Sequence, residues 1–477
     1  MRYVSTRGIV PALDFAGVLL AGLAEDGGLY VPDTWPAFSF AEWRALRPLP
    51  YSALAAHVMA PFVGDAIPRP TLDAICRDAY AGFGHAAVAP LIQLDTNLFV
   101  QELFHGPTLA FKDMAMQVLG RLFQHVLAER DQRITIVGAT SGDTGSAAIE
   151  AFAGRDRADV AILHPLGRTS EIQRRQMTTV LAPNVLNLAV QGTFDDCQDL
   201  VKGMFSDAPF RRQLRLSAVN SINWARIIAQ VPYYAAAALG LGAPDRDIAF
   251  SVPSGNFGNM LAAWVARRMG LPITRLIVAS NRNDILARFF DANDMSIRPV
   301  EPTLAPSMDI QISSNFERLL FEQLNRDPRA TGETMQRFRQ TGRMEIPAAV
   351  WQTTRELFRG FRLDDPGTEA EIVHWFRASN YIADPHTAIG LAAARTLRDP
   401  ATPVVAIATA NPAKFPEAVE RATGTRPGLP SRLSDLNTRD ERFVTVANNL
   451  AEVQAHLRAF VGRNAAGASA PRQENRG

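Results

Sequence analysis

Lysine is nearly missing from this chain. Of 49 basic residues, only Lys112, Lys202 and Lys414 are lysine, and the other 46 are arginine. Surface charge does not explain the exceptions, because arginine supplies it equally well. Only lysine sheds its proton near neutral pH to act as a nucleophilic amine, so these three positions are the first places to look for chemistry. Cysteine is scarce too. Cys76 and Cys197 are the only two, which excludes a disulfide framework and suits a cytoplasmic setting. Both read as buried thiols. Charge of one sign is also absent. A formal net charge of +1 over 477 residues leaves no basic field for nucleic acid, so any anion must be held by local groups. No apolar run reaches the roughly 18 residues of a membrane span, so no membrane partner is expected. The short stretch Leu19–Leu23 follows Asp14 without a basic leader or cleavage site and does not read as a signal peptide. The eight histidines form no HxxxH, HExxH or Cys/His cluster, so no metal site is expected. His105 and His386 fit packing and catalysis equally well.

What is present describes a globular chain of two or three domains, with 47% hydrophobic and 20% charged residues. Residues 1–98 read as a unit of their own. A turn at Gly27-Gly28 feeds a short strand, and helical patterns follow around Phe40–Leu46, Ser52–Phe62 and Thr71–Phe83. Nothing there resembles a catalytic constellation, so the expectation is an accessory cap or association layer. From Leu98 strands and helices alternate: Leu98–Leu103, Arg133–Val137, Val160–Leu163, Val185–Val190, Ile248–Val252, Ile273–Ala279 and Pro403–Ala408 read as strands. This alternation predicts parallel sheets covered by helices, with ligands at the carboxyl ends of strands. Residues 300–375 are less regular and read as an insertion or cover. The catalytic core is expected over 99–462 as two α/β lobes. The tail 463–477 lacks periodic apolar residues and reads as disordered.

Two glycine-rich loops fall at strand ends. Gly138-Ala-Thr-Ser-Gly-Asp-Thr-Gly145 follows one strand and opens a helix, where backbone N–H groups attract anions and Ser141 and Thr144 add hydroxyls. It lacks the Walker lysine and the GxGxxG spacing, and capping by Ser141 or Asp143 explains it as well as ligand binding does. Ser251-Val-Pro-Ser-Gly-Asn-Phe-Gly-Asn259 has the same strand–turn–helix placement, and it fits either a phosphate nest or a plain tight turn. Lys112 follows a Gly-Pro turn and is flanked by Phe111 and Met114, and apolar neighbours favour the neutral amine that forms Schiff bases. A lysine with two anion-binding turns is the equipment for pyridoxal phosphate. Thr409, ending a strand, can offer a hydroxyl to the ring nitrogen.

Five segments together carry a family resemblance. His105-Gly-Pro-Thr-Leu-Ala-Phe-Lys-Asp113, Thr140-Ser-Gly-Asp-Thr-Gly145, Asn220-Ser-Ile-Asn223, Ser251-Val-Pro-Ser-Gly-Asn-Phe-Gly258 and Asn411-Pro-Ala-Lys-Phe415 resemble the threonine synthases of the longer bacterial and fungal branch. The likeness runs from Tyr3 to about Arg426. It implies a tryptophan-synthase-β-like (type II) pyridoxal phosphate fold with a two-lobed parallel-sheet core. It makes Lys112 the cofactor lysine, Gly255, Asn256, Phe257, Gly258 and Asn259 the cofactor-phosphate loop, and Thr409 the ring-nitrogen partner. The implied substrate is O-phospho-L-homoserine, converted with water to L-threonine and phosphate. Ser141, Asp143, Thr144, Asn223, Arg226 and Lys414 are the candidate substrate contacts, with Arg226 and Lys414 placed at the departing phosphate because a leaving dianion needs cations; a plain surface lysine after Pro412 is the alternative for Lys414. Lys202, three residues after Asp199, reads as a surface ion pair. The chain departs from the family at Asn411, where histidine is common, and at Met114-Ala-Met116. A β-replacing lyase or deaminase, needing one anion pocket besides the cofactor's, is the nearest alternative. A catalytically silent relative is the other. A monomer or homodimer is expected.

Overall fold

A computed structural model describes residues 1–469. The chain forms two compact units, residues 1–115 with 221–428, and residues 116–220 with the chain from 429 onward.

The first unit is built on a six-stranded sheet in the order Phe358–Arg362, Ile273–Ser280, Ile248–Pro253, Val404–Ala408, Leu98–Glu102, Leu91–Asp95. Every pairing is parallel except the last, where Leu91–Asp95 forms an antiparallel hairpin with Leu98–Glu102. The central strands Ile248–Pro253 and Val404–Ala408 are buried at every residue, as their near-continuous Val, Ile, Ala and Phe content requires in a sheet covered on both faces. Register brings three strand ends level: Ala408 lies opposite Glu102, and Ala406 opposite Ser251 two residues before Pro253. The loops after Glu102, Pro253 and Ala408 therefore leave one edge of the sheet side by side.

Residues 1–80 contribute an antiparallel ribbon, Tyr3–Ser5 with Tyr30–Pro32, and the helices Phe40–Leu46, Tyr51–Val63 and Arg69–Tyr80. Aromatic contacts fasten this layer inside the first unit. The rings of Tyr3 and Phe62 each lie 6.0 Å from Trp224, and the Trp43 indole N–H donates to the Met269 carbonyl at 3.1 Å. The stretch 300–375 is not only a cover. Its Phe358–Arg362 supplies the edge strand of the sheet, parallel to Ile273–Ser280.

The second unit is a five-stranded, wholly parallel sheet ordered Val444–Ala447, Val185–Gln191, Ala158–Pro165, Ile134–Ala139, Leu216–Ser217. Its last helix, Leu450–Ser469, buries Val453 and Leu457, with Val461 packed beside them, against a cluster that includes Leu188, Leu200 and Met204, a stripe at helical spacing. Residues 463–469, expected to lack structure, are the end of this helix, because the stripe that anchors it lies just upstream. The rest of that expectation, 470–477, lies outside the described residues. Among the described residues no helix is long and apolar enough to cross a membrane. Cys76 and Cys197 are both buried and unbridged, and burial pushes the two thiols up to about 12 and about 11.

Candidate active site

Lys112 opens the helix Lys112–Glu129 at the end of the first of the three level loops. That loop is laced to its neighbour by backbone bonds: Leu103 N–H to the Ala408 carbonyl (3.0 Å), Phe111 N–H to that of Thr409 (2.8 Å), and Asn411 N–H to that of Leu109 (3.0 Å). The lacing sets half-buried Lys112 one residue from the tie to Thr409, which is 7% exposed. The Lys112 ammonium lies 5.2 Å from the centre of the Phe111 ring.

A buried polar network braces this turn. The Asp113 carboxylate, 0% exposed, accepts from the Thr108 N–H and the Thr108 hydroxyl, each at 2.7 Å. Lys414 is 1% exposed, so it is no surface lysine. Its ammonium, expected at a substrate phosphate, donates to the Thr108 carbonyl at 2.7 Å. Asn411 accepts from the Ala413 N–H at 2.9 Å and caps the turn that carries Lys414, so the departure from the family's histidine sits at a cap. Lys202 is the surface pair expected, with its ammonium 2.8 Å from Asp199.

The second loop, Ser254–Phe257, leads into the helix Gly258–Arg268. Phe257 takes the left-handed conformation at φ 61° and gives that helix no side-chain cap. The first N–H groups of a helix have no carbonyl behind them, so this end is electrophilic. The loop carbonyls are tied back. The Ser313 hydroxyl donates to the Gly255 carbonyl at 2.8 Å, and the Asn315 N–H and side-chain amide donate to that of Asn256 at 3.2 and 3.1 Å. In a planar trans peptide the N–H points opposite to its C=O, so the Asn256 and Phe257 N–H groups point away from Ser313 and Asn315. Gly255 is required here by space, since a Cβ would lie 2.9 Å from the Ser307 carbonyl oxygen. Asn259 Oδ1 accepts from the hydroxyls of Tyr233 (2.5 Å) and Tyr234 (2.6 Å). That fixes the amide and leaves Asn259 Nδ2, like the Ser254 hydroxyl, buried without a hydrogen-bond partner.

Two other expected substrate contacts belong to the short helix Trp224–Ile228, Asn223 as its cap and Arg226 within it. Asn223 is fully buried and caps that helix, accepting from Ala225 N–H at 3.0 Å and donating to the Leu19 carbonyl at 2.9 Å. Both ends of its amide thus serve the fold. Arg226 is 4% exposed. Burial lowers its guanidinium to about 10, so it stays cationic at neutral pH, as an anion site requires.

In the second unit, the Thr140 hydroxyl accepts from the N–H groups of Gly142 and Gly145, both at 2.9 Å, and so curls the loop that carries Ser141, Asp143 and Thr144. Gly142 sits at φ 150°, and a Cβ there would collide with the Gln173 side chain. Gln173 donates to Asp143 at 2.9 Å. Ser141 is exposed, Asp143 buried and Thr144 half-buried. A cavity of about 310 Å³ behind the loop is lined in part by Thr144, Gly145 and Lys202.

Sequence reasoning missed Thr140, Gln173, Ser313 and Asn315, whose roles depend on distant partners. Thr140 was within reach, as the first hydroxyl of a Gly-rich loop. Of the two uncommitted histidines, His105 pairs with Glu102 at 2.8 Å. His386 is buried, its Nδ1 2.8 Å from Asp384 and its Nε2 accepting from the Ser307 N–H at 3.2 Å, which puts the ring proton on Nδ1 and makes it a brace.

Pyridoxal phosphate needs an amine for its aldehyde, donors for its phosphate and a partner for its ring nitrogen. The first unit offers all three on adjoining strand ends, in Lys112, the outward N–H groups of the Gly255–Asn259 turn and Thr409, and the unpartnered donors of Ser254 and Asn259 suit a phosphate dianion. A family model described as "Pyridoxal-phosphate dependent enzyme" matches residues 85–333, so fold and strand-end loops together define a cofactor-dependent enzyme of the tryptophan-synthase-β-like, type II class. Models described as "Threonine synthase N terminus" and "Threonine synthase, C-terminal" match residues 2–80 and 387–457. The threonine synthase of Pseudomonas aeruginosa is 53% identical over 459 residues, covering 96% of this chain and 98% of the relative. That of Corynebacterium glutamicum is 40% identical over 476 residues, with the same coverage of each, 96% and 98%. The solved structure of pyridoxal-phosphate-bound threonine synthase from Brucella melitensis superposes with a TM-score of 0.95 at 52% identity, over 97% of this chain and 99% of that one. This chain belongs to the threonine synthase family.

Proposed function

We propose that this enzyme converts O-phospho-L-homoserine and water to L-threonine and phosphate, the last step of threonine biosynthesis. The observation that carries the reading is the set of three loops leaving level strand ends with Lys112, an amide cradle and Thr409 on them. Pyridoxal phosphate, when bound, supplies an aldehyde for the lysine and an electron sink for charge developing on the substrate. Lys112 would hold the cofactor through its side-chain amine, which the substrate's own amine would free. Its freed amine would take a proton from Cα and one from Cβ, supply the proton that Cγ gains once phosphate has left, and return one to Cα after water has added at Cβ. The Gly255–Asn259 turn, with Gly258 at its helix end, anchors the cofactor phosphate, and the Thr409 hydroxyl meets the ring nitrogen. A hydroxyl there, unlike a carboxylate, does not force that nitrogen to be protonated. Arg226 receives the substrate phosphate as it leaves Cγ, because a departing dianion needs a preorganised cation. Ser141, Asp143 and Thr144 serve the substrate carboxylate. Lys414 and Asn223 act through the backbone they hold.

The small net charge supports an enzyme that acts on a small molecule rather than on nucleic acid, and two unbridged cysteines support a cytoplasmic location. A monomer or homodimer completes the proposal. Residues 1–98 serve as an accessory region to the core that follows, apart from Leu91–Asp95, which already forms a strand of the core sheet. Borohydride reduction of the holoenzyme followed by peptide mapping tests the central assignment. The cofactor mass is expected on Lys112, and a label on Lys202 or Lys414 would refute it.

A further inference from the structure

We infer that Asn315 and Arg318 are positioning residues for cofactor binding, because together they set the direction in which the Gly255–Asn259 turn presents its N–H groups. The inference rests on the reading of that turn as the phosphate cradle.

Asn315 is fully buried and gives two donors to the Asn256 carbonyl, its N–H at 3.2 Å and Nδ2 at 3.1 Å. The same Nδ2 donates to the Ser221 carbonyl at 3.1 Å. A Cβ on Gly258 would lie 3.2 Å from that nitrogen, so the amide is also packed against the first residue of the loop helix. Turning the amide over would place its oxygen against two carbonyl oxygens. Arg318 prevents this by donating from Nη1 to Asn315 Oδ1.

Arg318 is itself locked. Its Nε donates to the Tyr30 carbonyl at 2.8 Å and its Nη2 to that of Ile222 at 2.7 Å, and the guanidinium lies 5.4 Å from the centre of the Trp224 ring. It is 1% exposed, and burial lowers it to about 9. One planar fork thus joins three separate segments: the N-terminal ribbon, the turn before the Arg226 helix, and Asn315 behind the cradle. Lysine cannot copy this, since its donors radiate from one nitrogen. The carbonyl of Asn256 is held from behind, so the Phe257 N–H of the same peptide plane is aimed forward before any anion arrives.

The test compares pyridoxal phosphate with pyridoxal, which has the same aldehyde and no phosphate. Dissociation constants of both are measured on the full-length apoenzyme for the parent, Asn315→Asp, Arg318→Lys and Gly255→Val. Asn315→Asp keeps the acceptor for Arg318 and the backbone N–H, and loses the side-chain donor to the Asn256 and Ser221 carbonyls. Arg318→Lys keeps the charge and loses the fork. Either variant, if its far-UV circular dichroism matches the parent, suffices to decide. Each is expected to weaken pyridoxal phosphate by about tenfold or more, the scale of one lost buried hydrogen bond, and to leave pyridoxal nearly unchanged. Equal weakening of both ligands would mark a general structural role and overturn the inference. So would parental preference for the phosphorylated ligand in these variants when Gly255→Val has lost it. If Gly255→Val itself keeps that preference, the cradle lies elsewhere and the underlying reading falls first, taking the inference with it.

Discussion

Replacing Lys414 with methionine separates two roles for this residue. A phosphate contact would affect substrate binding and leave the protein's local stability alone. A brace would do the reverse. The Lys414 ammonium is 1% exposed and donates to the Thr108 carbonyl at 2.7 Å. Methionine fills nearly the same volume, so no cavity opens and the change removes only the ammonium's polar contacts, the bond to Thr108 among them. A hydrogen bond to a charged group contributes about 1.5–3 kcal/mol, and the abandoned carbonyl stays buried. Taking about 2 kcal/mol, the opened form of the turn becomes about 30-fold more populated. Hydrogen exchange read by mass spectrometry reports this directly. The protected amides of Phe111, Asp113 and Asn411 should exchange faster by about that factor, while those of the distant strand Ile273–Ser280 keep the parental rate. Unchanged exchange at the turn, with a raised KM for substrate as the only defect, would refute the brace and return Lys414 to the phosphate.

Other expectations follow from the same geometry. Arg226→Gln removes a buried cation and should weaken inhibition by inorganic phosphate by about 10- to 100-fold, the scale of one charge-assisted hydrogen bond; parental inhibition would exclude Arg226 from the anion site. Gly145→Ala places a Cβ 2.5 Å from the Thr140 methyl and 2.9 Å from Ile162, so its urea midpoint should fall by an amount worth about 1–3 kcal/mol. His164 is 1% exposed and burial lowers its pKa below 6.5. The unfolded chain therefore takes up this proton more readily, so the stabilisation is complete above about pH 6.5 and declines as the pH falls below it. Urea midpoints at about pH 7.5 and pH 5.5 should show that decline, and His164→Leu should reduce it.

Chemistry was more legible in the sequence than support. Lys112 stood out because lysine is otherwise so rare, and the two glycine loops because a strand–turn–helix with small residues has few uses. Alternating apolar segments revealed the parallel sheets. The edge strand Phe358–Arg362 escaped notice because Phe-Arg-Gly-Phe-Arg buries only alternate residues and carries two arginines, which reads as irregular surface. Leu91–Asp95 escaped because it is largely unburied. The roles of Asn223, Lys414 and Arg318 are set by Leu19, Thr108 and Tyr30, which lie hundreds of positions away along the chain. No local pattern encodes such pairings. A buried lysine and a surface lysine look alike in sequence when the residues that bury them come from elsewhere.

The most direct test of the function is a single incubation of the holoenzyme with O-phospho-L-homoserine, measuring L-threonine and phosphate together. Equal amounts of the two are expected from the parent and neither from Lys112→Ala. Formation of 2-oxobutyrate as the main product, or turnover that survives the loss of Lys112, would contradict the account.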